Sequence, residues 1–159
     1  MKLDYIQALK RVDEACGAWI LHGQEPLLEQ NVLDAFRHHW KQHEIERQRF
    51  DINNVNEWKN VFNALNSLSL FSNQLAIEVH GNIKPDAQAL KQLKSYLQHN
   101  EQNLLLIVLP KQDSSSLKSA LFQTIEANGV VVALTANYPQ DRQRILKIEA
   151  DKLNIQLAP

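Results

Sequence analysis

NLLLIVLP, residues 103–110, is the stretch that decides the fold. It is a continuous run of branched apolar residues between an asparagine and a proline, the pattern of a strand buried on both faces. Reading toward the C-terminus, the serines at 114–116 are placed to cap a helix carrying Leu117, Ala120, Leu121 and Ile125. Asn128-Gly129 stops that helix, since both residues tolerate a left-handed backbone. GVVVALTA, residues 129–136, reads as a further strand, and residues 139–153 as a last helix with Ile145, Ile148 and Lys152 on one side. Toward the N-terminus, Leu90, Leu93 and Leu97 mark a helix beginning just after Pro85, and QLAIEVHG (74–81) a strand with a glycine stop. Trp58, Val61, Phe62 and Leu65 form another helical stripe, with Asn56 as its cap; RQRFDI (47–52) alternates as a strand. Leu28, Val32, Phe36 and Trp40 fall at intervals of four on one helix face, after the strand WILHG (19–23). A helix over about residues 4–15 precedes them all. Five strands alternating with helices predict an α/β fold around a mostly parallel sheet.

Composition narrows the function. The 159 residues are 44% hydrophobic and 22% charged, with a formal net charge of -1, which suits one globular domain and lacks the basic footprint of a nucleic-acid binder. No run of about 18 apolar residues is present, so no membrane span is expected. The N-terminal residues 1–15 contain acids where a signal peptide has its apolar stretch. The one cysteine, Cys16, has no internal partner, which suits a reducing cytoplasm. Asn137 to Asp141 reads as a hinge, and the single helix beyond it as the start of a severed second unit. The expected division is therefore 1–138 and 139–159.

The first strand-to-helix turn is where an α/β fold of this kind holds phosphate. Here it reads HGQEPLLEQN, residues 22–31. Counting Walker A spacing from Gly23, the second glycine falls on Leu28, the lysine on Glu29 and the Ser/Thr on Gln30. An anion stands where triphosphate requires a cation, so the reading is a structural turn with Pro26 in the first helical turn. No bound cofactor is expected. The apolar run ending at Leu109 is followed by Pro110-Lys111, without the carboxylate a Walker B strand supplies. Glu78 interrupts its strand as an exposed edge residue would. His39 and His43 share a helix face, with Glu46 as a possible third ligand, but a zinc site usually has four ligands, often with cysteine, so a solvated helix end is preferred. No catalytic constellation emerges. NSLSLFS, residues 66–72, is different: it gathers Leu68, Leu70 and Phe71 between serines in a connection, either as a staple to the core or as an exposed plug for a partner's pocket.

These pieces together resemble a known family. WILHGQEPLLEQNVLDAFR (19–37), RFDINNVNEW (49–58), NSLSLFSNQLAIEV (66–79), LLLIVLPKQDSSSLKSALFQTIEANGVVV (104–132) and YPQDRQRILKIEADKLNIQL (138–157) are similar, in order, to the N-terminal part of the delta subunit of bacterial DNA polymerase III, a clamp-loader subunit. The resemblance implies an AAA+-like domain with a degenerate nucleotide site at Gly23, Leu28, Glu29 and Gln30. It implies that Leu70 and Phe71 plug a pocket on the sliding clamp (the beta subunit), flanked by Leu68 and Ser69, with Asn66 where clamp-binding peptides often begin with glutamine. It implies gamma/tau and delta-prime partners, primed DNA reached only through the complex, and no catalysis by this chain, nucleotidyl transfer belonging to the holoenzyme. Residues 139–159 then open a lid-like second domain. The competing readings are a degenerate P-loop ATPase and another non-hydrolysing AAA+-like adaptor.

Overall fold

The computed structural model describes residues 1–66, 74–99, 102–135 and 139–152. Its strands are β1 (Lys2–Asp4), β2 (Gly17–His22), β3 (Glu46–Asp51), β4 (Leu75–His80), β5 (Leu104–Leu109) and β6 (Val130–Ala133). Its helices are α1 (Tyr5–Leu9), α2 (Pro26–Gln42), α3 (Trp58–Leu65), α4 (Ala87–His99), α5 (Ser114–Leu117), α6 (Ala120–Asn128) and α7 (Pro139–Lys152). The six strands pair in the order β1-β6-β2-β5-β4-β3, and every pairing is parallel.

β5 is central and buried at all six positions. Successive side chains leave opposite faces of a strand, so the run feeds two cores. Leu105, Ile107 and Leu109 join Trp58, Phe62 and Leu93 from α3 and α4; Leu104, Leu106 and Val108 join Leu28, Phe36 and Trp40 from α2. The stripe on α2 is buried as its spacing predicts, and the Phe36 ring meets Trp19 edge-on at 5.3 Å.

The structure departs from the sequence reading in five places. First, the sheet has a sixth strand, β1, and the expected helix over residues 4–15 is reduced to α1 and a 3-10 turn at Val12–Glu14. Asp4 ends the strand and starts the helix, in a reciprocal cap in which its carboxylate accepts from the Gln7 N–H and the Gln7 side chain accepts from the Asp4 N–H. Second, Asn54, not Asn56, caps the turn leading into α3, accepting from the Asn56 N–H at 3.0 Å. Third, Asp113 rather than the serines caps α5, accepting from the Ser116 N–H at 2.7 Å. Fourth, the stripe through Leu117 is split at Ser119, which leaves Leu117 39% exposed on its own short helix. Fifth, Gly129 does stop α6, but its φ is -149° rather than left-handed. What requires glycine is space, because a Cβ there would lie 2.3 Å from the Ala18 carbonyl oxygen. Leu153 lies outside the described residues.

Candidate functional site

The carboxyl ends of β2, β4 and β5 open onto a cleft of about 830 Å³. Gly23 leaves β2 with φ of 149°, and a Cβ there would come within 2.8 Å of the Leu134 carbonyl oxygen, so the turn demands glycine. Pro26 then opens α2. Leu28, at the place of the second Walker A glycine, points into the core and is 3% exposed. Glu29 and Gln30 line the cleft beside His80, Asn82 and Lys111. Gln30 is turned to its own helix, donating to Asp34 at 2.7 Å. The glycine, lysine and hydroxyl of a phosphate cradle are replaced by a core leucine, a carboxylate and an amide. Neither β5, which runs into Pro110-Lys111, nor β4, which runs into Gly81-Asn82, ends in a carboxylate.

Below the cleft lies a cluster the sequence reading misplaced. Glu78 is not an exposed edge residue: β4 is interior, β3 is the edge strand, and Glu78 is 0% exposed. Arg37 from α2 donates Nε and Nη2 to its two carboxylate oxygens at 2.9 and 3.0 Å. Arg47 from β3 does the same at 3.2 and 3.2 Å. His80 Nε2 lies 3.0 Å from Oε2. Burial works to raise the Glu78 pKa, but the bonds from His80, Arg37 and Arg47 outweigh it and hold the carboxyl well below the usual range. The cluster cross-links α2, β3 and β4. The signals for it were the lone acid in an apolar strand and the two arginines, whose sequence separations gave no hint of contact.

His39 and His43 do share a face of α2 or its cap, their rings 4.5 Å apart, and His39 Nδ1 lies 3.4 Å from an Asp13 carboxylate oxygen. Glu46 does not complete a set with them, and no group of three or more metal-ligating side chains occurs among the described residues. Cys16 is exposed. No helix among the described residues is long and apolar enough to cross a membrane. Of the expected clamp-binding residues, Asn66 is described: it is the exposed C-terminal cap of α3 and donates its N–H to the Phe62 carbonyl at 3.0 Å. Leu68, Ser69, Leu70 and Phe71 lie outside the described residues.

Residues 19–135 match the family described as DNA polymerase III, delta subunit. The chain belongs to that family. Among solved structures it is similar to the Bacillus subtilis DNA clamp loader delta protein, at 12% identity and a TM-score of 0.68, over 93% of this chain and 47% of that one. It is also similar to a DNA polymerase III gamma-subunit-related protein of Thermotoga maritima, at 14% identity and a TM-score of 0.55, over 95% of this chain and 53% of that one. A RuvB variant of Thermotoga maritima matches at 12% identity and a TM-score of 0.52, over 97% of this chain and 50% of that one. The chain thus spans about half the length of the structures it matches. A comparison with curated protein sequences finds no match. At these identities the likeness establishes the fold, which is AAA+-like, and the family match establishes membership among the delta subunits of the clamp loader.

Proposed function

We propose that this chain is the clamp-engaging part of a delta subunit: it binds the sliding clamp and holds the ring in an open geometry. The observation that carries the reading is the family match, which spans the connection holding Leu70 and Phe71. In this reading those two side chains enter an apolar pocket on the clamp, with Leu68, Ser69 and Asn66 at its rim. Each apolar side chain buried only on binding contributes roughly 1.5–3 kcal/mol before ordering costs. Opening follows from differential affinity: a subunit that binds the open ring more tightly than the closed one shifts the ring toward opening. No nucleotide chemistry by this chain is needed for that, and the residues lining the cleft at Glu29 and Gln30 suit none. ATP turnover then belongs to the gamma/tau subunits, with delta-prime completing the assembly and primed DNA met through the complex. Residues 1–138 form the clamp-facing domain, and 139–159 begin the lid-like one.

The test is calorimetric titration of the sliding clamp with the chain and with a Leu70→Ala, Phe71→Ala double variant. The variant is expected to keep the parent melting temperature and lose measurable clamp binding. Equal affinity in the two proteins would sink the reading.

A further inference from the structure

The connection carrying Leu70 and Phe71 departs after Leu65, the last residue of α3, and returns at Leu75, the first residue of β4. One side chain joins those two ends. Asn103 Oδ1 accepts the Leu75 N–H at 2.9 Å, and Asn103 Nδ2 donates to the Leu65 carbonyl at 3.3 Å. The backbone of Asn103 is fixed in turn. Its carbonyl accepts the Gly17 N–H at 2.8 Å and lies 2.8 Å from the Tyr96 hydroxyl, which also reaches the Gly17 carbonyl at 2.9 Å. The residue just ahead of β5 therefore ties together the starts of β2 and β4, the end of α3, and α4. Leu65 and Leu75 are themselves buried, so both ends are anchored by packing as well.

We infer that Asn103 is a positioning residue for clamp binding, its carboxamide fixing where the plug-bearing connection starts and ends. The inference rests on the proposed role of Leu70 and Phe71. Bringing the two ends together on folding removes the loop-closure cost from the binding step. Asparagine suits the task because it offers one acceptor and one donor group on a short stem. Aspartate keeps the acceptor for Leu75 but sets a carboxylate oxygen against the Leu65 carbonyl. Serine is too short to reach both ends.

The experiment measures clamp affinity by calorimetry for five samples: the 159-residue chain, Asn103→Asp, Asn103→Ser, a control variant Asn31→Ala, and a free peptide of residues 66–74. Asn31 is buried on α2, against the other face of the sheet, so its variant reports what lost stability alone does to binding. Both Asn103 variants are expected to bind about five- to tenfold more weakly, moving toward the free peptide, at a temperature where circular dichroism shows them folded. Asn31→Ala is expected to bind as the parent does. Should Asn103→Asp fail to fold, the milder Asn103→Ser carries the same expectation. Parent affinity in the folded Asn103 variants, or equal weakening in Asn31→Ala, overturns the inference. The Leu70→Ala, Phe71→Ala protein separates the two readings: if it loses binding while the Asn103 variants keep theirs, the plug stands and only the positioning role falls.

Discussion

Glu78 is a charged side chain buried completely inside the sheet. A fully buried carboxylate is costly unless its oxygens are bonded, and here two guanidiniums approach side-on while an imidazole adds a third contact. The folded pKa is depressed, so the carboxylate stabilises the fold fully above the ordinary glutamate value of about 4.3, and that contribution is lost as the pH falls from there through the folded value. Acid titration of the unfolding free energy should show this as a falling limb, and Glu78→Gln should flatten it. Glu78→Ala should cost about 3 kcal/mol in urea denaturation, the low end for a broken buried pair, because Arg37 and Arg47 are 29% and 39% exposed at the side chain and water can take up their charge. Almost none of this was legible in the sequence. An acid in an apolar strand signals an exposed edge position when strand order is unknown, and only the pairing of β3 with β4 and the overlay of α2 bring the three elements together.

At the scale of elements, apolar patterning was enough to place α2 and α3 by the spacing of their buried positions, and β4, β5 and β6 by runs of consecutive buried positions. It failed where an element is too short to show a period. β1 has three residues with only Leu3 buried, and the α5–α6 break turns on Ser119 rather than on any loss of apolar residues. It also gave the right stop at Gly129 for an incomplete reason. The β6 strand begins one residue later and must lie beside β2, so the chain passes the Ala18 carbonyl too closely for any side chain. Gly129→Ala should therefore destabilise the protein by about 2–3 kcal/mol, through forced movement of the α6–β6 junction. If the α6–β6 junction could shift aside freely, the change would instead be nearly neutral. The midpoint of urea unfolding distinguishes the two.

Across the whole molecule the two edges of the sheet hold different features. The carboxyl edge has the cleft, on the side where open α/β sheets generally take ligands; the amino edge has the paired ends of the connection bearing Leu70 and Phe71, joined by Asn103. That residues 23–30 lack the lysine and hydroxyl of a Walker A run was readable from spacing alone, because that motif is a local run of residues. The Asn103 bridge was not, since it joins positions 65, 75 and 103 through tertiary structure. This division predicts contrasting ligand responses. A ligand at a hundred times its Kd would stabilise the fold by about 2.7 kcal/mol, a shift of several degrees in melting temperature. Millimolar ATP with magnesium is expected to give no shift, whereas the sliding clamp in excess is expected to raise the melting temperature of the parent chain but not that of Leu70→Ala, Phe71→Ala. Glu29→Lys should not rescue the nucleotide response, because Leu28 remains packed in the core and the backbone amides cannot close around a phosphate. A rise with ATP in either protein would mean that the cleft retains a phosphate site built from other groups.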